Sequence, residues 1–132
     1  MSANWVEDIE TMQYKYGVNE KVKEFDADKL AAYLQFRINF LKEEFTELQD
    51  AKSGDDAVDA LIDLCVVAIG TLDSMGVDTY KAWDKVLSAN LAKEVGIKAT
   101  RPNPLGLPDL IKPDGWKSPS HADNVGLFSK LF

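Results

Sequence analysis

What the chain lacks narrows it first. It holds one cysteine, Cys65, in 132 residues, so no intrachain disulfide forms. Cys65 sits in an apolar stretch and reads as a small core residue, not a nucleophile. The one histidine, His121, stands in a Ser/Pro-rich segment, where it reads as incidental; no Cys/His metal spacing exists. There is no Gly-rich phosphate loop and no internal repeat. No apolar run reaches membrane length, and the N-terminus lacks a signal peptide's apolar core. The expected location is therefore the cytoplasm. With a net charge of −7 the chain has no basic footprint for duplex nucleic acid. A nucleotide substrate stays open, because a bound cation can reverse the local field. Proline is missing from the first hundred residues: Pro102, Pro104, Pro108, Pro113 and Pro119 all lie in the last third. This divides one domain, 1–132, into a helical core of about 2–96 and an irregular arm, 97–132.

The core reads as all-α, an antiparallel bundle of about four helices. Ser2 is placed to cap a first helix that carries Trp5, Val6, Ile9 and Met12 on one face and ends before Gly17. Val18 to Phe25 fits either a short helix or an extended link. Asp26 or Asp28 caps a long second helix running to about Lys52, with Leu30, Leu34, Ile38, Leu41, Phe45 and Leu48 at helical spacing. A third helix, about Asp55 to Met75, is apolar nearly all round and ends at Gly76. A helix of that kind needs cover on every side, more than a chain of this length supplies, which predicts completion by oligomerisation. The fourth helix is expected over Thr79 to Val95, stopped by Gly96.

The break at Ser53-Gly54 makes the second and third helices an antiparallel pair. Glu44 and Glu47 share a face on one, Asp59 and Asp63 on the other. Counted from Gly54, Glu47 is level with Asp59 and Glu44 with Asp63, to within about 3 Å. If those faces meet, four carboxylates converge, and like charges at close range demand a cation. Oxygen-only ligands select Mg²⁺, with Mn²⁺ as a substitute. Glu43, Glu44 and Glu47 also fit a solvated face beside Lys42 and Lys52. Asp63 does not, since it lies inside the apolar run.

The arm is locally basic through Lys98, Arg101, Lys112 and Lys117, which suits a lid over a polyphosphate; it equally suits a packing arm between subunits. Lys85, Asn90 and Lys93 on the fourth helix are candidate phosphate contacts, although a lysine on a helix is more often a solvated charge.

At these residues the chain resembles the MazG-like all-α NTP pyrophosphohydrolases, whose pattern is E-E-x-x-E on one helix and E-x-x-D on the next. Glu43-Glu44-Phe45-Thr46-Glu47 matches the first half. In the second half Ala60 stands three residues before Asp63, and Asp56 three before Asp59, so Asp56 competes for the fourth ligand position. Arg37-Ile38-Asn39-Phe40-Leu41 resembles the family's lead-in. Ser88-Ala89-Asn90-Leu91-Ala92-Lys93 resembles its N-x-x-K segment, which reaches substrate phosphates. Lys112-Pro113-Asp114-Gly115-Trp116-Lys117-Ser118-Pro119 is similar to the tail of small phage-type members. The resemblance implies a metal-dependent enzyme that splits the α–β linkage of nucleoside triphosphates, with purine deoxynucleotides the expected substrates. Glu44, Glu47, Asp59 and Asp63 would hold Mg²⁺. Glu43, Glu44, Glu47 and Asp63 would be catalytic. Asn90, Lys93, Arg101, Lys112, Trp116 and Lys117 would bind substrate. A homotetramer built as a pair of dimers is expected. The competing reading is a non-catalytic helical module whose acid cluster binds a structural ion or a basic partner.

Overall fold

Three helices begin on the same device, a short polar side chain that turns back onto the first free backbone N–H groups. Asn4 Oδ1 accepts from Glu7 N at 3.0 Å and opens α1, Trp5–Tyr16. Ser2, the expected cap, instead accepts from Asn4 N through Oγ at 3.2 Å. Gly17, at φ 66°, ends α1 and passes directly into α2, Val18–Lys23, so the ambiguous stretch is helical. Asp26 Oδ1 accepts from Lys29 N at 2.8 Å and opens α3, Ala27–Gln49. Ser53 Oγ accepts from Asp56 N at 3.1 Å and opens α4, Gly54–Ser74. α5 follows as Thr79–Leu91. The computed structural model of the chain describes residues 2–101 and 103–132; Pro102, one of the five arm prolines, lies outside the described residues.

The chain forms two compact units, Met1–Thr79 with Asn124–Phe132, and Tyr80–Asp123. In the first, α4 packs antiparallel along α3 and also against α1 and α2. Val22, Leu30 and Met75 are its most buried cluster, ringed by Val18, Phe25, Tyr33, Val77, Leu127, Phe128 and Leu131. Full burial of a side chain of this size contributes about 2 kcal/mol. The chain's last residues reach that cluster through a 3₁₀ turn, Gly126–Lys130, whose Leu127 N donates to Met75 O at 2.7 Å. A Cβ on Gly126 would stand 2.2 Å from the same carbonyl, so only glycine lets the strap lie this close. α4 is less enclosed than its composition predicts. Ala60, Val67 and Gly70 are buried, but Val58, Leu61 and Ile62 remain exposed.

In the second unit the expected fourth helix is corrected at its end. α5 stops at Leu91, four residues short of Val95. Lys93 N closes a turn on Asn90 O at 3.1 Å, and the chain continues as β1, Glu94–Gly96, antiparallel to β2, Asp109–Ile111. β-Branched Val95 suits a pleated strand better than a helix end. Gly96 is not a helix stop but a strand glycine; a Cβ there would lie 2.1 Å from Ile111 Cδ1. β2 gives the otherwise irregular arm a short extended piece.

Candidate active site

The carboxylates sit on the pair α3–α4. Of the three glutamates, α3 turns only Glu44 inward: it is 6% exposed, while Glu43 and Glu47 face solvent. On α4, Asp63 is half-buried and Asp59 is exposed. The buried Glu44 Oε2 has no hydrogen-bonding partner among the described residues. Burial pushes the Glu44 carboxyl up to about 7; the Glu47 carboxyl within hydrogen-bonding reach, and the charges of Glu47, Asp63 and Glu43, push the same way. Glu43, Glu47 and Asp63 are thus the charges that act on the Glu44 carboxyl. Asp59 is not among the charges acting on Glu44. Asp56, the rival for the fourth ligand position, is engaged at the start of α4, where its Oδ2 accepts from Lys52 N at 3.4 Å.

A carboxylate oxygen that is buried, unpartnered and crowded by further carboxylates is costly as it stands, and an added hard cation removes the cost. The donor set, oxygen only and formally anionic, fits Mg²⁺ or Mn²⁺. Among the described residues no group of three His, Cys, Asp or Glu side chains is already drawn together tightly enough to hold one ion.

Above the carboxylates the same two helices are joined by neutral and cationic hydrogen bonds. Tyr33 Oη and Ser74 Oγ lie 2.7 Å apart. Arg37 Nε donates to Thr71 Oγ1 at 2.9 Å and Nη2 donates to Val67 O at 3.0 Å. The spacing of the acidic motif does not announce these contacts; the signals in the sequence are Arg37 in the lead-in and two hydroxyls, Thr71 and Ser74, inside an apolar helix.

The second unit carries the cationic candidates. Trp116 Nε1 donates to Ala89 O at 2.8 Å, which fixes the indole against α5. Lys93 Nζ and Lys112 Nζ each stand 5.1 Å from the centre of that ring, a cation–π distance. Neither lysine has a carboxylate partner among the described residues. The turn through Gly115, at φ 79°, brings Lys112 and Trp116 together. The remaining candidates are elsewhere. Arg101 makes a two-point pair with Asp109, whose carboxyl is held below its ordinary range by the Leu110 N–H and by Arg101. Asn90 is exposed at the end of α5. Lys117 lines an open cavity of about 540 Å³ with Asp84, Lys85, Ser88 and Ser120. Lys85 is already engaged, donating to Asp123 at 2.9 Å and to Ser120 O at 2.8 Å. Asp123 binds both Lys81 and Lys85, which holds its carboxyl well below the usual range; sequence spacing did not point to it.

An all-α scaffold that sets crowded carboxylates on two antiparallel helices defines the class of the MazG-like pyrophosphohydrolases. The family model for phosphoribosyl-ATP pyrophosphohydrolase matches residues 15–90, more than half of the chain, and the chain belongs to that family. It is accordingly a nucleotide pyrophosphohydrolase, in a family generally dependent on divalent metal. Neither a search of curated proteins nor one of solved structures found a match. The matched stretch contains every carboxylate of the site and ends before Lys93, Arg101, Lys112, Trp116 and Lys117.

Proposed function

We propose that the chain hydrolyses nucleoside triphosphates between the α and β phosphates, releasing the monophosphate and pyrophosphate. Glu44 carries the reading: a buried, unpartnered carboxylate oxygen among Glu47, Asp63 and Glu43 is poised for a cation and serves no packing purpose. Glu44, Glu47, Asp59 and Asp63 would hold Mg²⁺ or Mn²⁺. Such an ion supplies Lewis-acid stabilisation of phosphate oxygens and makes nearby water more acidic. Glu43, exposed beside Glu44, takes the proton of the attacking water. The water oxygen bonds to the α phosphorus, the bridging P–O bond breaks, and pyrophosphate leaves with the bonding pair. Lys93 and Lys112 offset charge on the phosphates. Trp116 is assigned to holding those lysines and not to stacking on a base, since its ring already faces both ammonium groups. Asn90, Arg101 and Lys117 complete the proposed substrate contacts, with Arg101 having to leave Asp109 to serve.

Purine deoxynucleotides remain the proposed substrates, with the arm's exposed Leu105 and Leu107 as apolar cover for a large base. The proposal includes a homo-oligomer, a pair of dimers, because Phe36, Phe45, Val58, Leu61 and Ile62 leave apolar surface on α3 and α4 exposed. No helix is long and apolar enough to cross a membrane among the described residues; the cytoplasm is the proposed location. The test is a product assay over the eight common NTPs and dNTPs and phosphoribosyl-ATP, with Mg²⁺ and with Mn²⁺. Monophosphate plus pyrophosphate is expected, fastest with dATP or dGTP. Release of orthophosphate, or no hydrolysis of any compound, overturns the proposal.

A further inference from the structure

Level pairs in an antiparallel helix pair recur at equal intervals along both helices, so a bond at one height fixes the register at another. Tyr33 precedes Glu44 by eleven residues, and Ser74 follows Asp63 by eleven. The bonded pair Tyr33–Ser74 and the carboxylate pair Glu44–Asp63 therefore belong to one register, about 16 Å apart along the axes. Arg37 lies between them, two turns from Glu44 on the same face. Its guanidinium donates to two neighbouring oxygens of α4, Val67 O and Thr71 Oγ1, that belong to residues four apart. Thr71 Oγ1 also donates to Val67 O at 2.7 Å, so the three groups close a triangle. Arg37 has no carboxylate partner among the described residues. A permanently charged side chain spends its donors here on neutral oxygens of α4.

Gly70 supplies the seat. A Cβ there would stand 3.0 Å from Arg37 Nη2, and Gly70 O accepts from the buried Gln13 of α1 at 3.1 Å. α4 is thus gripped at one residue from two sides. A fork held by two directed hydrogen bonds to fixed oxygens of α4 cannot follow that helix if it slides, whereas apolar contacts along a helix tolerate sliding. A slip of one residue is about 1.5 Å, and a displacement of about 1 Å at reacting groups can cost a hundredfold in rate.

We infer that Arg37 is a positioning residue for hydrolysis: clamped on Val67 and Thr71 over Gly70, it sets the axial register that brings Asp63 level with Glu44. The inference rests on the proposed role of those carboxylates. The test uses the full chain with Thr71→Val, Arg37→Lys and Arg37→Met, compared at a temperature where circular dichroism shows each fully folded. The readouts are Mn²⁺ affinity, from the spin-resonance signal of free Mn²⁺, and kcat against KM. Thr71→Val should weaken Mn²⁺ binding by about tenfold, as loss of a ligand's outer support does. Arg37→Met should lower kcat by about a hundredfold with little change in nucleotide KM, and Arg37→Lys, which keeps charge but not the fork, should fall between Arg37→Met and wild type. If Arg37→Met does not fold, Thr71→Val and Arg37→Lys decide. Lower melting temperatures with unchanged Mn²⁺ affinity and kcat in the folded variants overturn the inference while leaving the carboxylate reading intact. A wild-type chain that takes up no Mn²⁺ overturns both.

Discussion

The helical pair α3–α4 and the unit Tyr80–Asp123 treat charge in opposite ways. In the second unit three cations are answered by carboxylates. Lys81 and Lys85 share Asp123, and Arg101 has Asp109. Lys93 and Lys112 rest on the face of Trp116, which steadies an ammonium group without neutralising it. In the helical pair the carboxylates answer one another with more negative charge, and Glu44 Oε2 is left with nothing. The difference separates charge that holds a fold together from charge kept for use. A carboxylate with two lysines is finished. A carboxylate buried among carboxylates, and a lysine held only by a ring, are each still open to a partner of opposite sign.

The largest expected effect breaks the acidic side of that contrast. Glu44→Gln or Glu47→Gln should lower turnover by roughly a thousandfold, the several kcal/mol that a bound metal supplies to the transition state. The metal-free protein should not lose melting temperature, because like charges have been removed. Near-wild-type rates in both variants, measured by pyrophosphate release, would remove these residues from the site. The same assay ranks the aspartates. Asp63→Asn should lose far more activity and Mn²⁺ affinity than Asp56→Asn, whose carboxylate belongs to the start of α4.

On the basic side the expected losses are smaller. Lys93→Met and Lys112→Met should each lower kcat/KM by about tenfold, the worth of one charge-assisted hydrogen bond. The double variant should lose less than the product of the two, since both lysines depend on one indole. Additive losses would mean that the ring does not couple them.

The smallest effect sharpens the comparison without any substrate. The Glu44 carboxyl is raised from its ordinary value to about 7, so the folded chain holds that proton more tightly than the unfolded chain. Its stabilising contribution is therefore complete below the ordinary carboxylate range and is lost as pH rises through about 7. With a chelator present, stability in urea should fall over that window more steeply for wild type than for Glu44→Gln, by roughly 1 kcal/mol for one relieved buried carboxylate. Parallel curves would show that Glu44 is not the group responsible. Added Mn²⁺ should flatten the wild-type curve.

Much of the fold was legible because local signals agreed. Asp26 and Ser53 announce the starts of α3 and α4, and the period of Leu30, Leu34, Ile38 and Leu41 announces the helix between. The acidic motif is legible for the same reason, being local to two turns of helix. What spacing could not rank was burial. Glu44 and Glu47 are equivalent by periodicity, and only the packing of α4 makes one of them the desolvated group. Gly96 misled because glycine ends helices and also lets strands approach closely; the choice was settled by Ile111, fifteen residues away. The Trp116 platform is likewise a meeting of α5 with a distant turn. The Arg37 fork was invisible because its acceptors are a hydroxyl and a backbone carbonyl, neither of which carries a motif.

The return of the chain at Asn124 has a consequence for how such a protein diversifies. Asn124 Oδ1 accepts from Asp78 N at 2.9 Å while its Nδ2 donates to Asp78 O at 2.8 Å, so one side chain ties the point of departure to the point of return. Everything from Tyr80 to Asp123 is a loop whose ends the helical unit already holds together. Lengthening such a loop costs only about 0.6 kcal/mol per doubling, and insertions are best tolerated where their ends lie close together. The segment is in effect a cassette. The family match, ending at Asn90, leaves most of that cassette outside the matched part.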